Sequence, residues 1–273
     1  MNARRIDLNA DLGESFGVYS YGADEAMMQL ITSANVACGF HGGDPLVIQE
    51  SVRLACERGV RIGAHVGLPD RLGFGRREMA ISAAEAYTFT LYQIGALDAF
   101  LRPHGICLAH VKPHGALYMM AARNSALAAA VAQAVTDFDP RLAIYTLPDS
   151  ALAAQGRALG LRVVGEFFAD RPYTGTEVTM FGWTTDQLGE PEDAADRVDA
   201  MLADTRFREV DTVCVHSDTP RAPHIMAVVR NRLIDKGLEV TQTGPDNPAS
   251  TPAERRARDA APGRPEPVIR EGI

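Results

Sequence analysis

What most constrains this chain is a periodicity that keeps switching. Segments with the two-residue alternation of a β-strand are followed by segments with the three-to-four-residue spacing of an amphipathic helix. Strand-like stretches fall at 5–9, 33–38, 60–66, 106–112, 142–147, 161–168, 211–216 and 238–241. Helix-like stretches separate most of them, and there is no run of short hairpins and no internal repeat. Strands divided by helices are the mark of parallel pairing, because a parallel partner is reached only through a crossover. The prediction is an α/β fold of about eight strands. The length, 273 residues, suits a single (β/α) barrel of about 250 residues.

Local signals support the helices. Asp44-Pro45 offers an N-cap and a first-turn proline. Ile48, Val52 and Ala55 make one apolar face, and Gly59 sits where a left-handed C-cap belongs. Ser82 and Glu85 form a capping box ahead of a helix to about Leu101. A helix following 106–112 is expected to break at Asn124-Ser125. Residues 1–243 read as one catalytic domain. From Gly244 to Ile273 the chain carries six of its sixteen prolines, many Arg, Glu and Ala, and almost nothing apolar. That stretch reads as a flexible Pro/Arg-rich extension or a partner-binding segment.

Composition excludes several functions. A net charge of −8 and a pI of about 5.4 leave no basic footprint for nucleic acid. The longest near-apolar run, 126–135, is too short to span a bilayer. The first seven residues lack a secretory apolar core, and Cys38, Cys56, Cys107 and Cys214 form no CxxC pair. Reduced thiols in a cytoplasmic protein are expected.

The polar residues are not scattered. Asn9, Asp11 and Glu14 follow the first strand, and Cys38, His41 and Asp44 the second. His65 ends the third, Lys112 and His114 the fourth, Glu166, Asp170 and Arg171 the sixth, His216 and Asp218 the seventh. In parallel α/β architectures these ends meet on one face, where sites are built. Carboxylates, imidazoles and one lysine offer acids, bases and charge stabilisers for hydrolysis. No GxSxG elbow is present. Cys38 near His41 reads as a buried structural thiol rather than a nucleophile. The glycines of 39–43 are neither GxGxxG nor a P-loop, so a tight turn that aims His41 is favoured over a phosphate site. The loop 73–77 either carries a cation over the face or is plain solvated loop. Asp11, His65 and a further His could ligate Zn or Mn, but no HExxH fixes a metal, which stays open.

Five segments carry a resemblance. Residues 6–14 (IDLNADLGE), 33–45 (SANVACGFHGGDP), 62–65 (IGAH), 110–118 (HVKPHGALY) and 168–171 (FADR) resemble the LamB/YcsF family over residues 5 to 240. The resemblance implies a TIM-like barrel of seven to eight strands, related to the glycoside hydrolase/deacetylase barrel. It also implies ATP-dependent opening of the 5-oxoproline lactam to L-glutamate with partner subunits B and C of a 5-oxoprolinase. ATP would be handled with those partners, since this chain has no nucleotide loop. Homo-oligomerisation stays open. Two segments depart from the family pattern. His216-Ser217-Asp218 stands where His-Gly-Asp is usual, and residues 172–183 lack the family's arginine.

On this reading the catalytic candidates are Asp11, His65, Lys112, His114, Asp170 and His216. Asp11 or His65 would handle the attacking water, and Lys112 and His114 would stabilise the oxyanion. Asn9, His41, Asp44, Tyr118, Glu166, Arg171 and Asp218 would hold the substrate. Two other classes compete: a stand-alone amidohydrolase, metal-dependent or not, acting on another small lactam or amide, and a non-catalytic module that presents a ligand to a complex.

Overall fold

The computed structural model describes residues 3–242. The strands are β1 (Arg5–Leu12), β2 (Ser33–Ala37), β3 (Arg61–Val66), β4 (His110–Pro113), β5 (Ala143–Thr146), β6 (Arg162–Phe168), β7 (Tyr173–Thr174), β8 (Glu177–Val178), β9 (Val210–Cys214) and β10 (Glu239–Val240). The helices are α1 (Asp24–Met27), α2 (Pro45–Arg58), α3 (Ala83–Leu101), α4 (Gly115–Arg123), α5 (Ser125–Phe138), α6 (Ala151–Ala158), α7 (Thr185–Leu188), α8 (Pro191–Ala203) and α9 (Ala222–Asp235).

Strands β1 to β6 pair in order and in parallel, and β9 pairs with both β6 and β1, closing a seven-stranded barrel. The eighth expected strand is real but does not enter the ring. β10 pairs with Arg5 and Ile6 at the start of β1, while β9 takes Asp7 to Asn9. A small hairpin, β7–β8, fills the segment after β6 and was not expected from the sequence. The pattern after Arg171 is too short and too polar to register as strands.

The alternation of β1 runs opposite to a simple soluble strand. Ile6, Leu8, Ala10 and Leu12 pack outward into the main apolar cluster beneath the helices. The intervening Asp7, Asn9 and Asp11 are buried as well, and they share a polar barrel interior. Asp7 accepts from Ser33 Oγ at 2.7 Å, Thr212 Oγ1 at 2.6 Å and Tyr145 Oη at 3.1 Å. One layer up, Asn9 Nδ2 donates to Thr212, and Asn35 Nδ2 donates to Asn9 Oδ1 at 2.8 Å. His110 Nε2 meets Asn35 Oδ1 at 2.7 Å, and its ring stacks on Tyr145 at 3.9 Å. Most of these buried polar atoms are satisfied within the interior, which makes them tolerable; His110 Nδ1 has no hydrogen-bond partner among the described residues. Gly63 on β3 makes the space, since a Cβ there would lie 2.1 Å from His110 Nε2.

The helix signals are realised. Asp44 caps α2 with bonds from Leu46 and Val47, and Gly59 ends it at φ +66°. Ser82 and Glu85 form the capping box of α3. Asn124 separates α4 from α5 and caps the latter. The 244–273 extension lies outside the described residues.

Candidate active site

Asp11, His65, Lys112, His114, Arg171 and His216 come together at the C-terminal ends of the strands. They line a narrow cleft with Arg76, Tyr118, Phe168 and Met180, whose free volume of about 20 Å³ is room for roughly one water molecule. The third layer of the barrel interior is its floor. Lys112 Nζ donates to Asp11 Oδ1 at 2.9 Å and Asn9 Oδ1 at 3.2 Å, and pairs with Glu166 Oε1 at 2.8 Å. It also reaches Cys214 Sγ at 3.2 Å. Burial opposes the charge of Lys112 most strongly, yet Asp11, Cys214 and Glu166 hold its ammonium well above the usual lysine value. Burial likewise opposes the Asp11 carboxylate, and His65 and Lys112 overcome it, keeping Asp11 ionised. Four acceptors crowd the three N–H of Lys112, so the oxyanion role expected for it gives way to another: it is the counter-ion that keeps Asp11 charged inside the barrel.

A second arrangement lies beside it. Asp170, after β6, faces His216 Nδ1 at 3.2 Å and accepts the His216 amide at 3.0 Å. It also accepts from Thr219 Oγ1 at 2.6 Å and Arg171 at 2.8 Å. Burial pushes against its charge, but Arg171 and His216 hold the Asp170 carboxyl well below its usual value. This fixes a proton on His216 Nδ1 and leaves Nε2 facing Asp11 Oδ2 at 3.7 Å. An imidazole oriented by a buried carboxylate, with its free nitrogen on a cleft, is placed to take or give a proton.

The third cluster is of histidines. His41 and His114 stack at 3.7 Å with nearly parallel rings, and His65 stands edge-on to both. Glu14, weighed in the sequence only among the carboxylates, approaches all three. Its Oε1 lies 3.2 Å from His41 Nε2, 3.3 Å from His114 Nδ1 and 3.8 Å from His65 Nε2. Burial, then the charges of Asp11 and Asp218, push the Glu14 carboxyl well above its usual range. Burial pushes His41 and His114 well below theirs. Two sets of buried donors have the spacing of metal ligands among the described residues: Glu14, His41, His65 and His114, and Asp11, Cys214 and His216. In the second set Lys112 is already the resident cation.

The remaining candidates divide. Tyr118 and Arg171 line the cleft. Asp218 stands at its rim and holds Arg76 at 2.6 Å, so the 73–77 loop does bring a cation over the face. Arg77 turns away to Asp70. Asn9 and Glu166 lie below the cleft and fix Lys112. His41 is buried behind His114. Asp44 is not brought to the site: its oxygens cap α2 and accept the Gly17 amide at 2.8 Å, which removes it from the substrate-binding set. Cys38 is inert, as expected, its thiol donating to the Val36 carbonyl and pushed up by burial to about 12. The four cysteines form no disulfide. Sequence reasoning missed Asn35 and Thr212, whose inward direction only the barrel reveals.

A parallel barrel with buried acid–base groups at the C-terminal ends of its strands defines a barrel enzyme. The chain belongs to the LamB/YcsF family, whose sequence profile matches residues 6–247. It is 51% identical over 254 residues to the 5-oxoprolinase A subunit of Symbiobacterium thermophilum, covering 89% of this chain and 97% of that one. It is 47% identical over 247 residues to the protein of the same name from Bacillus subtilis, covering 87% and 96%. The "Lactam Utilization Protein" of Thermus thermophilus superposes with a TM-score of 0.79 at 45% identity, over 87% of this chain and 99% of the other. No helix among the described residues is long and apolar enough to cross a membrane.

Proposed function

We propose that this chain is the A component of an ATP-dependent 5-oxoprolinase and opens the 5-oxoproline lactam to L-glutamate with partner subunits B and C. The observation that carries the reading is the Asp11–Lys112–Glu166 charge cluster beside the Asp170-oriented His216, at the foot of a narrow cleft walled by Arg76 and Arg171. The relatives named as 5-oxoprolinase A subunits support it. Ring opening adds water across the C–N bond: the water oxygen joins the carbonyl carbon and the ring nitrogen leaves as an amine. His216 Nε2 or ionised Asp11 takes the water proton, and the same proton is available to the departing nitrogen. Arg76 and Arg171, both on the cleft wall, supply positive charge for the substrate carboxylate. They stand in for the arginine missing from 172–183. A lactam amide is unreactive at neutral pH and this sequence has no phosphate-binding loop, so ATP chemistry is assigned to the partners.

The test is reconstitution. The isolated chain should leave 5-oxoproline untouched. With subunits B and C it should form glutamate in step with ATP hydrolysis. Asp11→Asn in that complex should lower kcat by roughly 10²–10⁴, or about 3–5 kcal/mol of barrier. ATP-independent turnover of a lactam by the chain alone would overturn the reading in favour of a stand-alone amidohydrolase.

A further inference from the structure

We infer that Glu14, His41, His65 and His114 form a binding site for one divalent transition-metal ion. Their ligand atoms all lie within 4.8 Å of one another and all four residues are buried. Three imidazoles and one carboxylate make the donor set that such ions prefer, and one that Mg²⁺ or Ca²⁺ does not.

The hydrogen bonds around the cluster carry the inference further than spacing does. His65 Nδ1 lies 3.0 Å from the Lys112 carbonyl and His114 Nε2 lies 2.7 Å from the Phe74 carbonyl. A carbonyl only accepts, so the proton of each ring is on that nitrogen. The other nitrogens, His65 Nε2 and His114 Nδ1, then point lone pairs at each other across 2.9 Å. Two neutral imidazoles cannot bond in that way, so an electropositive centre, either a proton on His65 Nε2 or a metal ion, belongs between them. A shared proton would satisfy those two atoms alone. A metal ion would also gather Glu14 Oε1, which lies 3.3 Å from His114 Nδ1 and 3.2 Å from His41 Nε2.

The surroundings are those of oriented metal ligands, whose second ring nitrogen is normally held by a carbonyl or carboxylate. Phe74 adopts a left-handed backbone, φ +54°, unfavourable for a bulky residue, while its carbonyl receives His114. Gly67 and Gly75 press on His41, where added Cβ atoms would come within 2.3 Å of Nδ1 and 2.6 Å of Cβ. His65 Nε2 is 3.3 Å from Asp11 Oδ2, so the site adjoins the cleft. Bound there, the ion would supply a Lewis acid beside Asp11. Its purpose rests on the lactam-opening reading, but its binding does not.

The experiment uses the full chain without substrate or partners. After dialysis against a chelator, the protein is titrated with Co²⁺ and with Zn²⁺. About one Co²⁺ per chain should be retained, with visible d–d absorption, and saturating Zn²⁺ should raise Tm by roughly 5–10 °C. His65→Gln and His114→Gln should lose the Co²⁺ spectrum, while the exposed His224→Gln keeps it. Wild-type protein that retains no Co²⁺ or Zn²⁺ and shows no shift in Tm would overturn the proposal. So would imidazole ¹⁵N signals of the chelated, ion-challenged protein showing only a proton shared by His65 and His114. Retention unchanged in both cluster variants would also overturn it. Because metal content is read apart from turnover, a chain that binds neither Co²⁺ nor Zn²⁺ while its complex opens 5-oxoproline defeats this inference and leaves the proposed function standing.

Discussion

Lys112 shows how one residue changes meaning once its neighbours are known. It is 1% exposed and bonded to groups on β1, β6 and β9, so its charge is part of the core. Removing one partner of a buried ion pair leaves the other uncompensated, at a cost of about 3–5 kcal/mol. Lys112→Met should therefore lower Tm by roughly 6–15 °C at neutral pH as well as abolish activity in the reconstituted complex. A thermal melt checks it, and a variant as stable as wild type would show that Asp11 and Glu166 are not held by this ammonium. Asp11→Asn should be milder, because the amide oxygen still accepts from Lys112 while Glu166 remains as counter-charge.

At the scale of elements, the barrel depends on fitting large polar side chains against strands that make room. Gly63 in β3 faces His110 in β4, with which it is in register. A methyl group at 63 cannot coexist with the ring as placed, and displacing the ring breaks its 2.7 Å bond to Asn35. Gly63→Ala should thus cost about 2–5 kcal/mol, the sum of overpacking and a lost buried hydrogen bond. Chemical denaturation should show a lower midpoint with little change in slope. Gly59→Ala at the α2 C-cap meets nothing within 4 Å and pays only for its left-handed backbone, about 1 kcal/mol.

At the scale of the whole molecule, Asp170 ties the end of β6 to the segment between β9 and α9. Its carboxyl is held below the ordinary value near 3.9. The folded state therefore binds fewer protons than the unfolded chain around pH 4. The stability this contributes is fully present above about pH 4 and is lost as pH falls through the folded-state value. Asp170→Asn leaves Arg171 buried without its carboxylate, so it should destabilise at pH 7 by about 3–5 kcal/mol. The loss should shrink at pH 3, where the unfolded chain's carboxyl has taken up the proton that the folded one still excludes. Equilibrium unfolding at the two pH values measures this, and an equal loss at both would exclude the ionised carboxylate as the cause.

The alternation of periods determined the class of fold, and the capping residues placed α2, α3 and α5, because those signals are local and act within a turn of helix or a strand. The strand-end clustering of Asp11, His65, Lys112, His114 and His216 was legible for the same reason: in a parallel architecture every strand ends on one face. Partner choice was not legible. Nothing near Lys112 in sequence says that its ammonium is saturated by groups about a hundred residues away, and nothing near Asp44 says that its oxygens go to a helix cap and a distant amide. Ring closure likewise needed the tertiary structure, since whether seven or eight strands complete the barrel depends on which edge β9 meets first. Glu14 became a candidate ligand only when β1 to β4 brought three imidazoles to it, because donor convergence is a property of folded geometry that spacing along the chain does not encode.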